Sequence, residues 1–358
     1  MVESGIRLQD YSLSAEQEWL RETFHKFFEK ECPTAVVRSA EPLGFDAELW
    51  QKLLRMGIAS MGLPPSAGGD GATLIELGII AEEVGRSIAP VPFISHIVAT
   101  RLLAATNALD DILIQAIHGY QIVTLALQPL QSGQPQLVPD AAIAAGVVAL
   151  VNDELSLYRR GLPAGHVENH GRTPLGRWQP SDGAECLTLA RGDEANTIHR
   201  HAVMEWKILM AAALVGLTEA SLSLAVDFAK ARYTMGVPIG SLQGVAFPLA
   251  DVAIGVAGAR NLTRRAAWTA EYEPASSFEI ALMSFANAAR LATRGTTTSA
   301  HMQGGLGFTA EADASLFFLR SKGWGLLAGD PMRDFVTIGE SLVASNAATD
   351  EPFISADQ

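Results

Sequence analysis

Only two cysteines, Cys32 and Cys186, occur in the 358 residues. They lie far apart, without CxxC or Cys/His ligand spacing, so neither a disulfide framework nor a structural zinc site is implied. Two isolated thiols in a reducing compartment are expected. Basic residues are also scarce: 26 Lys and Arg stand against 39 Asp and Glu, a net charge of −13. No basic block occurs, which argues against a nucleic-acid groove or an anionic membrane surface as partner. The longest wholly apolar run, Ile208 to Leu217, is about half a bilayer span, and the N-terminal MVESGIRLQDYSLS lacks the charged and apolar regions of a secretory signal. A soluble cytoplasmic protein is expected. There is also no Gly-rich phosphate loop after a strand, no GxSxG and no HExxH.

With 48% hydrophobic and 18% charged residues, the chain is too apolar for disorder and long enough for two or three domains. Ser14-Ala15-Glu16-Gln17 has the form of a capping box, and Leu20, Phe24, Phe27 and Phe28 follow at helical spacing until Cys32-Pro33. Further helical patterns run over 47–56, 74–86 and 92–105, so residues 1–118 read as a helical domain. From Tyr120 the texture changes to short β-type runs at 122–127, 146–151, 155–158 and 185–190, a small β module over 119–199. Helical periodicity returns in 200–345, with an almost wholly apolar segment at 203–229 and long stretches at 248–271, 277–303 and 313–327. A helix apolar on every face belongs in the centre of a domain. The polar residues 346–358 read as a loose tail.

Three glycine-bearing segments interrupt helical regions: 63–71, 232–240 and 301–307. Taken alone they are turns or ligand loops, and the residues do not decide between the two. Arg232 and Gln303 are side chains suited to a phosphate or a ribose, each beside backbone that glycine opens to close approach.

The order of residues at 232–251 is more specific. Arg232-x-Thr234-Met235-Gly236-x-Pro238-Ile239, then Gln243 and Ala250-Asp251, resembles the first C-terminal signature of the acyl-CoA dehydrogenases. Gln303-Gly304-Gly305-Leu306-Gly307-Phe308-Thr309-x-Glu311 resembles the second, and Leu63-Pro64 to Gly71 with Glu82-Glu83-Val84-Gly85 resembles the N-terminal half. The resemblance spans nearly the whole chain. It implies a mainly α fold with a small β module: an N-terminal helical domain, a middle β domain and a C-terminal four-helix bundle. It further implies FAD, with Arg232, Thr234 and Gln243 reaching a flavin held mainly by a neighbouring subunit, and His301, Gln303, Gly304 and Gly305 along its adenosine end.

The departures from the family pattern carry as much information. The β module is shorter than the family's, and neither the Thr/Ser-bearing flavin loop nor the Trp-x-Thr/Ser element is found in it. The family's chemistry needs a carboxylate to take the α-proton of an acyl thioester. Counting from Arg320 to Leu327-Ala328-Gly329-Asp330 puts Ala328 where that base belongs, with Asp330 displaced by two positions and suited to a turn or cap. Some relatives carry the base on the central helix instead. There Trp206 holds the position and Glu205 stands one residue early, about 100° away around a helix. Lys207 takes the place of an Arg aimed at CoA. His199 and His201 read as a linker at the domain entry rather than as metal ligands.

The resemblance thus implies one subunit of a heteromeric, FAD-dependent acyl-CoA dehydrogenase, similar to the smaller, degenerate chain of two-gene α2β2 members that often act on steroid side chains. A second subunit would supply the base, acyl-CoA would be the substrate and an electron-transfer flavoprotein the acceptor. Two other readings stay open: a self-sufficient homo-oligomer using Glu205, and a non-catalytic structural subunit.

Overall fold

The computed structural model describes residues 11–106, 111–131, 133–159, 164–180 and 185–349. Seven helices come first: α1 (Ala15–Glu31), α2 (Thr34–Ser39), α3 (Ala47–Leu54), α4 (Ile58–Met61), α5 (Leu74–Arg86), α6 (Phe93–Ala105) and α7 (Asp111–Ile117). The capping box at Ser14 forms, with Gln17 returning to the Ser14 N–H at 3.0 Å. Phe24 and Phe28 are the side chains of α1 that are buried.

Among the described residues, the β module has two sheets. β1 (Val123–Leu125) pairs in parallel with β3 (Gly146–Val151), which continues antiparallel to β4 (Glu154–Arg159) and β7 (Cys186–Arg191). β2 (Gln136–Val138), β5 (Gly165–His166) and β6 (Gly176–Trp178) form a second sheet that the sequence pattern does not announce. Strands of two or three residues are too short to show alternation.

α8 (Gly192–Ala231) follows β7 directly and starts well before residue 200. Asp193 and Glu194 occupy its first turn, where acidic side chains favour the positive end of a helix, and Gly192 N–H donates to Asp153 O at 2.8 Å. His199 and His201 are therefore helix-interior residues and not a linker. After the short hairpin β8 (Tyr233–Thr234) and β9 (Val237–Pro238) come α9 (Gln243–Tyr272), α10 (Ser277–Met302), α11 (Asp313–Trp324) and α12 (Met332–Thr349). α12 corrects the expectation of a loose tail from residue 346, since the helix runs to Thr349; residues 350–358 lie outside the described residues.

α8 is the centre of the molecule, with α5, α6, α9, α10 and α11 packed around it. α8 and α9 are both long and apolar enough to cross a membrane, but 78% of the apolar window of α8 is buried by its neighbours, against 22% for α9. Exposed apolar side chains of the C-terminal region lie instead on α9, the hairpin and α12, at Met235, Phe247, Ile254, Val336 and Val343. Where α5 crosses α8, each helix presents a glycine to the other's backbone. A Cβ on Gly85 would lie 1.8 Å from Ala213 O, and one on Gly216 1.9 Å from Glu82 O. The Glu82-Glu83 pair ties α5 to its other neighbours: Glu82 accepts from Arg260 of α9 at 2.9 Å, and Glu83 meets Arg86 at 3.1 Å and His25 of α1 at 2.9 Å. At the opposite extreme of the sequence, Arg38 of α2 donates to Ala310 O at 2.7 Å and Glu311 O at 2.9 Å, and pairs with Asp313 at 2.9 Å.

Candidate functional site

Short connections make α8, α9 and α10 successive antiparallel helices. The end of α8, the start of α9 and the end of α10 therefore meet at one end of the bundle. Arg232 terminates α8, its N–H donating to Phe228 O at 2.8 Å, and its carbonyl takes Ile239 N–H at 2.8 Å to close the hairpin. The hairpin turn has φ of 47° at Met235 and 83° at Gly236, the geometry that matches strand twist. Arg232, Thr234 and Gln243 are exposed along this edge.

His301 and the turn after α10 lie at the same end. Gly307 is required internally, since a Cβ there would sit 2.2 Å from Ala300 O. At Gly304, with φ 62°, and at Gly305 a Cβ would meet nothing within 4 Å, and both are exposed. Beside them Gln303 Nε2 and Thr309 Oγ1 are shielded from solvent without a hydrogen-bond partner. Orphaned polar atoms next to open glycine backbone fit a ligand that lays polar groups across the turn, as the adenosine end of FAD would. Arg232 and Gln243 add donors suited to its phosphates and ribose.

The second region is at the other end of α8. A cavity of about 870 Å³ opens between α8, α10, α12, the β1–β2 loop and the α11–α12 loop. Ala328 lines it, and its carbonyl accepts from Gln128 Nε2 at 2.8 Å. No carboxylate stands at this position. Asp330 caps α12, its Oδ1 accepting from Met332 N–H at 3.0 Å. Trp206, at the alternative base position, is fully buried and packs edge-on against Phe285 with centroids 6.0 Å apart.

Lys207 lines the cavity but is not free for an anion: its Nζ donates to Asp334 Oδ1 at 2.5 Å, and both residues are buried. Asp334 escaped the sequence reading because it lies on α12. His199 is also in the wall; its Nε2 lies 2.8 Å from Ala126 O, and burial holds it below the ordinary histidine value, so the neutral ring donates to that carbonyl.

Glu205 faces elsewhere. It takes a bidentate pair of hydrogen bonds from Arg101 at 2.9 and 3.0 Å, in a separate cleft of about 570 Å³ shared with Glu271. Glu271 in turn accepts Leu74 N–H at 2.8 Å and so caps α5. The geometry argues against Glu205 as the base, since it lines the Arg101 cleft and not the cavity of Ala328 and Lys207.

A third, small hollow of about 50 Å³ lies between α5, α6 and the β module and holds Asp140 against Ser95. Burial pushes the Asp140 carboxyl up from 3.8 to about 6. The folded chain then keeps a proton that the unfolded chain sheds between these values, so stability falls as pH rises through that window and the cost is full above it. Asp140 also has a left-handed φ of 57°, which asparagine tolerates. Asp140→Asn should therefore gain about 1–3 kcal/mol in urea denaturation at neutral pH, the value of a rise of this size, and gain nothing near pH 4. A loss at neutral pH would refute the account.

Two family models match the helical parts of the chain: the acyl-CoA dehydrogenase N-terminal domain over residues 14–109 and the C-terminal domain over 198–337. Acyl-CoA dehydrogenase IpdE2 of Mycobacterium tuberculosis is 30% identical over 322 residues, covering 88% of this chain and 94% of its own. The chain belongs to the acyl-CoA dehydrogenase family. Acyl-CoA dehydrogenase FadE27 of the same organism is 28% identical over 340 residues, covering 85% of this chain and 90% of its own. Among solved structures, the ChsE4-ChsE5 complex from Mycobacterium tuberculosis matches with a TM-score of 0.85 and 22% identity, over 96% of this chain and 100% of that one. The Tcur3481-Tcur3483 steroid ACAD G363A variant matches at 0.83 and 24% identity, over 93% and 99%. The fold of this acyl-CoA dehydrogenase is the expected one: helical domains at both ends of the chain and a small sheet module between them.

Proposed function

We propose that this chain is the flavin-completing subunit of a heteromeric acyl-CoA dehydrogenase, with the catalytic base on a partner subunit. The observation that carries the reading is a separation along α8. The 25 positions from Lys207 to Arg232, at 1.5 Å each, span about 37 Å. That is longer than an extended FAD molecule. The Arg232 edge and this chain's own Ala328 cavity therefore serve different molecules, and the edge serves a flavin whose ring sits in another subunit.

FAD is the cofactor, and when bound it supplies the acceptor for the hydride that leaves the β-carbon of the thioester. Arg232 neutralises phosphate charge, Gln243 and Thr234 orient the ribityl and pyrophosphate region, and Gln303 with the open glycines holds the adenosine end. With Ala328 in the base position and Glu205 tied to Arg101, the α-proton goes to a carboxylate of the partner. The substrate is an acyl-CoA, and the likeness to a steroid ACAD among the solved structures supports a steroid side chain. An electron-transfer flavoprotein takes the electrons by family resemblance, and the assembly is an α2β2 tetramer in the cytoplasm.

The test is flavin content after gel filtration, with the chain made alone and with a companion acyl-CoA dehydrogenase subunit. Flavin is expected in the joint assembly alone. There Arg232→Ala should weaken FAD retention at least tenfold, as loss of a charge-assisted contact does. A yellow, active homo-oligomer would hand the chemistry to this chain, and an active assembly indifferent to Arg232→Ala would remove the edge from the cofactor site. In the working assembly Glu205→Gln should leave turnover within about tenfold of the parent, because a lost base costs 10²–10⁴-fold.

A further inference from the structure

The cavity beside Ala328 lacks a base, yet at about 870 Å³ it has not closed. Its size falls within the roughly 300–1,000 Å³ of pockets that enclose a whole small molecule. Its lining charges cancel: Asp193, Asp330 and Asp334 stand against Arg200, Lys207 and Arg333. Lys207 is already neutralised by Asp334 at 2.5 Å. A charged ligand gains little in such a site and leaves its hydration behind. Leu150, Val203, Met204, Phe278 and Leu282 make much of the remaining wall apolar.

One polar group is left over. Asp334 is 9% exposed, and its Oδ2 is shielded from solvent and has no hydrogen-bond partner. An unsatisfied charged acceptor in a protein interior is costly. Lys207 takes only Oδ1, so Oδ2 is the oxygen left to accept from a donor in the cavity.

We propose that this cavity binds an uncharged, largely apolar molecule bearing a hydroxyl group, and that Asp334 selects it by accepting the hydroxyl's hydrogen bond. Binding here needs neither flavin nor base, so the inference goes beyond the dehydrogenation reading, and its failure leaves that reading standing.

Equilibrium dialysis of the chain in its assembly, with androsterone and its 3-deoxy counterpart 5α-androstan-17-one as probes, tests it. Androsterone is expected to bind at least tenfold more tightly, the margin of a hydrogen bond to a charged group. The double variant Lys207→Met with Asp334→Leu removes the acceptor without stranding a charge, and it should abolish that preference while keeping affinity for the deoxy probe. Val203→Phe, at a half-buried wall position, should block both probes. Equal affinity for the two probes, no binding of either, a preference that survives the double variant, or binding untouched by Val203→Phe would each overturn the proposal.

Discussion

Gly216→Ala should destabilise the protein by about 3 kcal/mol or more, or leave no soluble chain at all. In a helix interior this exchange ordinarily stabilises by about 1 kcal/mol, so the sign of the effect is the test. The reason for a reversed sign is the α5–α8 crossing, where the added methyl would sit 1.9 Å from Glu82 O and 3.0 Å from Arg86 N. Both contacts are backbone, which no rotamer change can move. The helices would have to separate, opening the core at this close crossing. Gly78→Ala is the control: it lies on the same α5, and its Cβ would meet nothing within 4 Å. It should stabilise by about 0.5–1 kcal/mol. Urea midpoints of the two variants at matched concentration decide the matter, and a stabilising Gly216→Ala would mean the crossing is looser than described.

Lys207→Met should cost about 3–5 kcal/mol, because it strands the Asp334 carboxylate in a buried site. Adding Asp334→Leu should restore most or all of that loss, since replacing both partners of a buried pair by apolar residues is often neutral or favourable. Thermal or urea denaturation of parent, single and double variants forms the cycle. A harmless single variant would show that the pair is solvated; a double variant no better than the single would show that Lys207 acts through packing, as its place over the Phe285 ring at 5.4 Å allows.

What could be read from the sequence was local, and what escaped was distant. The capping box at Ser14 and the Phe24 and Phe28 spacing place α1 to within a residue, because cap and periodicity sit in one short window. The first turns of α8 were misread because Gly192, Asp193, Glu194 and Asn196 are polar like a loop; they are exposed, and Asn196 is fastened to Asp153 at 3.1 Å. The sequence marks no separate stretch for α12 within 200–345, although Asp330, suited to a turn or cap, does cap that helix. In the candidate site, the sequence itself shows that residue 328 carries no carboxylate, and only the structure shows that it lines a cavity. The Lys207–Asp334 pair joins residues 127 apart, and Arg101 meets Glu205 across 104, separations at which one sequence carries no pairing signal. Glu205 and Lys207 are near neighbours in the chain, and only the helix decides that they face different clefts.

The Arg38 clamp ties the order of synthesis to the order of folding. The carbonyls it holds, at Ala310 and Glu311, directly follow the turn that carries Gln303 and the open glycines. Residues near the beginning of the chain thus brace a stretch translated near its end, 272 positions later. A nascent chain on the ribosome cannot close this clamp until residues 310 and 311 have emerged, however well its first helices have folded. A product truncated before residue 310 would lack both carbonyls and would leave Arg38 and α2 without this anchor.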